Sequence, residues 1–303
     1  MPSSPGSEKP APTFHACPAR PDCPYCGGAA DATPGRFDWS FLDGVYCISL
    51  RHRDDRADET AREFHRLGLC ARAIFHRPLK DRKAKRGCWE SHRAVAADAR
   101  ARGWRRVLIV EDDVCFAAST SPETAARVGA ALADLPADWM GFYLGHWALW
   151  AYPAGRDVLR CSSLCTHAYV ASERLLDWLC ETPYEARNAL PRHRIGGRGL
   201  DATFAALPGM FAFTPLIATQ RLIPGDNMNA PTIRWWPPKS LVRDLFVRSR
   251  IREYAMAHGM RANERVAIAL AGVSGPIFRA SARRAQRRLA RHRAALAPDS
   301  APP

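Results

Sequence analysis

The sequence predicts an α/β fold with a mostly parallel central sheet over residues 39–238. Two observations support this prediction: short apolar runs alternate with helical patterns in the order β, α, β, α, β, and the links between them are short. The run Val107–Val110 contains four branched aliphatic residues and predicts a strand buried on both faces. With 303 residues, 47% of them hydrophobic, the chain can form a substantial core.

The first unit begins with the apolar run Gly44–Leu50, which predicts a strand, and the polar run Arg51–Arg56 follows it directly. A helix is predicted over 58–67, because its apolar residues share one face and Gly68 is a typical C-terminal stop. A second short strand is predicted over 71–76.

A basic loop, 81–86, opens the second unit. After Gly87, an alanine-rich helix is predicted over 89–102, and it leads into the strand Val107–Val110. Apolar runs and helical patterns further along predict strands over 140–144, 166–171 and 210–213, and helices over 173–181 and 202–207.

The two ends of the chain differ in composition from the predicted domain. Residues 1–38 are rich in Pro, Gly, Ala and Ser and predict a flexible leader. Residues 239–303 predict a basic helical tail, because 14 basic and 4 acidic residues give this segment a net charge of +10, out of +14 for the chain. Such a tail fits a helix on anionic lipid, a nucleic-acid arm or a solvated helix.

The leader also carries four soft metal ligands, His15, Cys17, Cys23 and Cys26. The Cys-x2-Cys pair followed by glycines suits a structural Zn²⁺ ion, and the alternative is a disordered leader with incidental thiols.

The first ten residues lack the apolar core of a signal peptide, so we expect a cytoplasmic protein whose remaining cysteines are reduced thiols.

Three consecutive carboxylates, Glu111, Asp112 and Asp113, follow the buried strand Val107–Val110 directly. Ligands of open α/β sheets bind at the carboxyl ends of the strands, and such closely spaced acids repel one another unless water or a cation compensates them. The strand end therefore favours a site for Mn²⁺ or Mg²⁺, and the alternative is an acidic turn exposed to solvent.

Several motifs, taken together and in this order, resemble glycosyltransferase family 25, which includes lipopolysaccharide-type and collagen-type galactosyltransferases. The resemblance covers about 45–226. The motifs are Ile48-Ser49-Leu50 with Arg53-Asp54-Asp55-Arg56, Gly87-Cys88-Trp89-Glu90-Ser91-His92, Glu111-Asp112-Asp113, Leu144-Gly145, Cys165 to Ser172, and Gly199-Leu200-Asp201 followed by Pro215 and Gln220.

The resemblance implies a GT-A type nucleotide-binding sandwich that uses Mn²⁺ and a UDP-sugar and inverts the anomeric carbon. Within this family frame, Glu111 and Asp113 are the expected metal ligands, because alternate residues at a strand end can reach a common point. Asp112 is expected to contact the ribose or to orient a ligand. Asp201 is the expected catalytic base that takes the acceptor proton, and its alternative role is the N-cap of the following helix.

The remaining expected donor-binding residues are Ser49, Arg53, Arg56, Ser91 and His92. Arginine forks suit a uridine or a diphosphate, although Arg53 and Arg56 would also suit a solvated helix entrance. His92 lies near a helix start, where it could bind a phosphate or simply pack. His146 and His167 are candidates for further metal ligands.

We therefore expect a metal-dependent glycosyltransferase that moves a hexose, galactose in the first instance, from a UDP-sugar to a hydroxyl of a glycan or glycolipid, as in surface-polysaccharide or lipopolysaccharide assembly. The basic tail would hold it to the inner face of an anionic membrane, and failure to bind anionic vesicles at low salt would remove that expectation. The main alternative is a zinc-containing basic protein that contacts nucleic acid through its Arg-rich tail, although no full nucleic-acid-binding motif is present. A third is a metal-dependent phosphohydrolase.

Overall fold

A computed structural model of the chain describes residues 14–18, 23, 26, 36–190, 199–221 and 251–271, with scattered positions between 280 and 291. Within these residues, nine strands form one mixed sheet, two more strands form a small second sheet, and helices cover both faces of the large sheet. This arrangement confirms the predicted α/β class.

The strands are β1 Phe14–Ala16, β2 Gly44–Ile48, β3 Ala73–His76, β4 Arg106–Glu111, β5 Val114–Phe116, β6 Gly141–Tyr143, β7 Ala148–Gly155, β8 Val158–Ser163, β9 Ala168–Ser172, β10 Met210–Phe213 and β11 Ala218–Gln220. The helices are α1 Asp54–Leu67, α2 Ala84–Ala101, α3 Pro122–Ala133, α4 Glu173–Glu181, α5 Leu200–Phe204 and α6 Ile251–Ala269, with 3₁₀ helices at Cys70–Arg72 and Tyr184–Asn188.

The large sheet has the strand order β1-β3-β2-β4-β9-β6-β10-β8-β7. Strands β2, β3 and β4 are mutually parallel, as are β6 and β10, whereas β9 runs antiparallel between β4 and β6. Strands β1 and β8 are the other two that oppose the main direction, so most strands of the sheet run the same way. The small sheet pairs β5 with β11.

The alternation of side chains along the buried strands divides the core into two layers. Val45 and Cys47 of β2 face α1 and α3, and Tyr46 faces the layer that contains α2, α4 and α5. Helix α6 packs against β7, where the Asn263 side chain pairs with both backbone groups of Ala148 at 2.7 and 3.0 Å.

Several predicted boundaries differ from the structure. Helix α1 begins at Asp54 rather than at residue 58, and α2 begins at Ala84 and continues through Gly87, where a side chain would crowd Asp81. Both first turns are polar or charged, so apolar periodicity does not mark them.

The structure also contains elements that were not predicted. Strand β1 lies within the segment predicted as a flexible leader, and it pairs antiparallel with the edge of β3. The other unpredicted elements are β5, α3, β7, β8, β11 and the two 3₁₀ helices.

The predicted basic tail overlaps α6, in which Met260 and Glu264 are buried. This part of the segment therefore packs on the sheet rather than standing apart from it. Residues 239–250 and most of 272–303 lie outside the described residues. No helix among the described residues has the length and apolar character needed to cross a membrane.

Candidate functional site

The predicted site residues gather where β2 and β4 end side by side. In the sheet, β3 pairs with one edge of β2 and β4 pairs with the other edge. After β3 the chain therefore returns past β2 to form β4, and the strand order reverses between β2 and β4. Ligands of α/β sheets bind outside the carboxyl ends of strands at such a switch point. Ser49 follows β2 here, and Glu111 is the last residue of β4.

Glu111 is held by residues from two other elements. Its Oε1 atom accepts a hydrogen bond from Thr166 Oγ1 at 2.6 Å and lies 3.6 Å from Nε2 of His92 on α2. Burial favours the neutral acid, but the neighbouring His92 and the Thr166 hydroxyl outweigh it and lower the pKa of Glu111. Glu111 is therefore a carboxylate at neutral pH.

The carboxyl group of Asp113 has fewer partners to compensate a negative charge than that of Glu111. Its Oδ1 atom is buried and has no hydrogen-bond partner among the described residues, while Oδ2 is 3.5 Å from Nε2 of Gln220. Burial, together with the negative charges of Glu111 and Asp112, raises the pKa of Asp113 to about 8. A cation at this oxygen would relieve both the missing partner and the repulsion, so Asp113 fits a metal ligand.

Asp112 differs from its two neighbours because it is paired within the protein. Its Oδ1 atom lies 3.1 Å from Nη1 of Arg56, both residues are buried, and the Asp112 carbonyl accepts a hydrogen bond from Thr60. Burial nevertheless raises the pKa of Asp112. The Arg56–Asp112 ion pair connects α1 to the turn after β4. The sequence did not predict this contact.

Arg53 and Ser49 lie beside this pair, at the start of α1. Arg53 binds both carboxylate oxygens of Asp55 at 3.0 and 2.9 Å, and the buried Ser49 hydroxyl donates to the Arg53 carbonyl at 3.4 Å. The predicted donor-binding residues Ser49, Arg53 and Arg56 therefore share one corner of the sheet.

Helix α2 supplies a second group of polar residues. The Ser91 hydroxyl donates to the Gly87 carbonyl at 2.7 Å within the helix, and His92 Nδ1 lies 2.7 Å from the Tyr169 hydroxyl. Cys88, His92 and Glu111 each offer a ligand atom within 4.8 Å of the others and could hold a metal ion. Asp113 is not a member of this group, so the described metal-capable cluster differs from the predicted pair Glu111 and Asp113.

Asp201 occupies the first turn of α5, but the residue at the N-cap position is Gly199. The Asp201 carboxylate accepts a hydrogen bond from the backbone of Ala202 at 2.8 Å. Burial and the negative charge of Glu111 raise the pKa of Asp201. Burial, together with the negative charges of Glu111, Asp201 and Asp113, raises the pKa of the half-buried Cys88 thiol, so all three acids lie within electrostatic reach of Cys88.

His146 and His167 are both fully buried near this site. Burial lowers the pKa of His146 to about 3 and that of His167 to about 4, so both imidazoles are neutral at pH 7. The ring nitrogens of His146 have no hydrogen-bond partner among the described residues. Sequence reasoning identified both histidines, but it assigned no role to Thr166, Cys88 or Tyr169, which line the site and lie within the quoted motifs.

A second cluster lies at the other end of α1. Cys23, Cys26, His65 and Cys70 each present a ligand atom within 4.8 Å of the others and could hold a metal ion. This cluster contains the Cys-x2-Cys pair of the predicted zinc set. His65 and Cys70 take the two places that the prediction assigned to Cys17 and to His15, which is exposed on β1.

Comparisons with known proteins do not identify the chain. No model of a protein family matches it, and no curated protein matches it either.

Proposed function

We propose that this chain is a metal-dependent inverting glycosyltransferase that transfers a hexose, with galactose as the first candidate, from a UDP-sugar to a hydroxyl of a glycan or glycolipid. The observation that supports it best is the gathering of Glu111, Asp113 and Asp201 beside the switch point between β2 and β4. The motif resemblance to glycosyltransferase family 25 and its implied GT-A fold are part of the same proposal.

In this proposal Glu111 and Asp113 hold a divalent cation, Mn²⁺ or Mg²⁺, through hard carboxylate oxygens. The buried, unpartnered Oδ1 atom of Asp113 supports this assignment. When bound, the cation supplies Lewis-acid stabilisation of the departing diphosphate. The neutral His146 and His167 are candidates for completing the coordination.

The donor is expected to lie along the corner formed by β2 and α1. Arg53 is the arginine better suited to a diphosphate oxygen, because its ion-pair partner Asp55 is exposed to solvent, whereas Arg56 is buried against Asp112. Ser49, Ser91 and His92 are also proposed to position the nucleotide and sugar, and His92 lies 3.6 Å from Glu111.

Asp201 is proposed to act as the base. The acceptor oxygen attacks the anomeric carbon, its proton passes to the Asp201 carboxylate, and UDP leaves from the opposite face of the sugar. The raised pKa of Asp201 makes its carboxylate a stronger proton acceptor than an exposed aspartate. The Arg-rich C-terminal segment, with Arg283, Arg287 and Arg291 exposed at helical spacing, supports an acceptor at an anionic membrane surface.

The test is UDP release from a panel of UDP-sugars with Mn²⁺ or Mg²⁺. We expect Asp113→Asn to lower release by roughly 10²-fold or more, because it removes a proposed metal-binding charge. Without metal its melting temperature should not fall, since Asp113, with a pKa of about 8, is already mostly uncharged at neutral pH. Asp134→Asn, at an exposed carboxylate at the end of α3, is the matched control and should retain activity.

Release from no donor, together with no donor-induced rise in melting temperature, would contradict the proposal. That outcome would favour the alternative of a basic binding protein, for which salt-sensitive binding to DNA or RNA is the expected signature.

A further inference from the structure

Three thiols and one imidazole meet where the N-terminal segment packs against the end of α1. We propose that these residues, Cys23, Cys26, His65 and Cys70, bind one structural zinc ion. The site lies at the opposite end of α1 from Arg56 and the carboxylates, and the inference does not depend on the proposed transfer reaction.

The distances within the cluster support this proposal. The sulfur of Cys70 lies 3.1 Å from that of Cys26 and 3.7 Å from that of Cys23, and the Cys26 sulfur lies 3.3 Å from Nδ1 of His65. A tetrahedral zinc ion with Zn–S bonds of about 2.3 Å and Zn–N bonds of about 2.0 Å has sulfur–sulfur edges of about 3.8 Å and sulfur–nitrogen edges of about 3.5 Å. The Cys23–Cys70 and Cys26–His65 edges agree with these values to within about 0.2 Å, and the Cys26–Cys70 edge would lengthen by about 0.7 Å around the ion.

The orientation of the His65 ring identifies which of its nitrogens faces the metal. Nε2 lies 3.1 Å from the carbonyl oxygen of Pro18, and because a carbonyl only accepts, Nε2 must carry the proton. Nδ1 is then the unprotonated nitrogen, and it faces Cys26. A metal-bound histidine commonly donates its other N–H to a backbone carbonyl in this way.

The orientation of the His65 ring also distinguishes Cys17 from the four proposed zinc ligands. Its sulfur lies 3.9 Å from Nε2 of His65, on the protonated side of the ring. Cys17 therefore lies next to the cluster without completing it, even though it is the cysteine nearest to the Cys-x2-Cys pair in sequence.

The end of α1 explains how two of the ligands come together. Gly68 has a left-handed backbone with φ of 67°, and the amide of Leu69 donates to the carbonyl of Phe64, so the chain turns back after the helix. Cys70 then begins the 3₁₀ helix Cys70–Arg72, and its sulfur lies within 4.8 Å of a ring nitrogen of His65.

Chemistry and burial favour zinc in a structural role. Thiolates and imidazole are the usual ligands of Zn²⁺, whereas Mn²⁺ and Mg²⁺ prefer oxygen. Cys23, His65 and Cys70 are buried and Cys26 is half-buried, and four protein ligands complete a tetrahedron without an open position for a substrate. The ion would join the segment after β1 to the connection between α1 and β3.

The test is the zinc content of the full-length chain, purified without chelator and measured by inductively coupled plasma mass spectrometry. We expect about one zinc ion per chain, as for a closed four-ligand site. Cys70→Ser should lose most of it. His15→Ala and Cys17→Ser are the matched controls, and both should retain it, because neither residue is a ligand in the proposed set.

A second measurement covers the case in which Cys70→Ser fails to fold. Cobalt bound to the intact chain should show the sulfur-to-cobalt charge-transfer absorption of a thiolate-rich tetrahedral site, and Cys17→Ser should leave that absorption unchanged. The inference is overturned if the intact chain holds neither zinc nor cobalt, or if loss of Cys17 or His15 removes the metal while loss of Cys70 does not.

Discussion

At Gly145 the backbone lies very close to the Ala218 carbonyl and to the ring of His167. A Cβ atom at this position would overlap the carbonyl oxygen of Ala218 and the ring nitrogen Nε2 of His167. The Ala218 oxygen belongs to the backbone and cannot move aside without disturbing the β5–β11 sheet. The absence of a side chain at position 145 is therefore a packing requirement.

We predict that Gly145→Ala lowers the free energy of unfolding by about 1–3 kcal/mol, because the added methyl group overpacks the core. Urea denaturation followed by tryptophan fluorescence would measure the change. Gly155→Ala is the matched control: its Cβ atom would meet only Val158, at 3.7 Å, so its stability should remain near that of the parent. Equal stability of the two variants would contradict this packing argument.

At the scale of elements, α3 shows how a helix start is set by local hydrogen bonds. The Ser121 hydroxyl accepts from the backbone amide of Thr124 at 3.4 Å, the Thr124 hydroxyl accepts from the Ser121 amide at 3.3 Å, and Pro122 follows as the first helical residue. These contacts satisfy amides that the helix itself leaves without partners.

We predict that Ser121→Ala destabilises the protein by about 1 kcal/mol, because it removes the side-chain acceptor at the N-cap. Ser121→Asp keeps an acceptor at the same position and should retain most of the stability. Thermal or urea unfolding of the two variants would distinguish loss of the cap from a general intolerance of substitution, in which both variants would be equally destabilised.

For α1 and α2, the ends of the helices were easier to predict than their starts. Gly68 and Gly103 both have left-handed backbones directly after the predicted helices, and the sequence identified them correctly as stops. The starts of α1 and α2 lie in charged segments, where the first turn buries few apolar residues and therefore leaves no periodic signal. Short edge strands such as β1 depend on pairing with β3 and carry little signal of their own.

At the scale of the whole molecule, burial of histidine makes stability depend on pH. His76 is buried at the end of β3, where its ring stacks on Phe14 of β1 at 4.8 Å. Burial, with a smaller contribution from the charge of His92, lowers the pKa of His76 to about 4, against about 6.5 in an unfolded chain. As the pH falls from about 6.5 towards 4, the unfolded chain binds a proton that the folded protein does not, so stability decreases.

We predict that protonation of His76 in the unfolded chain lowers the free energy of unfolding by about 2 kcal/mol when the pH is lowered from 7.5 to 5. His76→Gln should reduce the acid sensitivity by that amount, because glutamine does not titrate. Urea denaturation at the two pH values would measure the difference, with His52→Gln, at an exposed histidine, as the control. An unchanged pH dependence in His76→Gln would show that His76 is not held neutral in the folded state.

The sequence by itself determined the features that have a local physical signature. The order of the first strands and helices follows from apolar periodicity, and the position of Glu111 and Asp113 at a strand end follows from the run of buried aliphatic residues before them. The Cys-x2-Cys pair was recognisable because both ligands lie within one short segment.

Only the tertiary structure decided which side chains meet across the fold. It pairs Arg56 with Asp112, joins Thr166 to Glu111, and places His65 and Cys70, rather than His15, beside Cys23 and Cys26. It also inserts β9 antiparallel between β4 and β6. These contacts join residues far apart in the chain, and their partners are selected by the packing of the sheet and helices, which leaves no periodic pattern in the sequence.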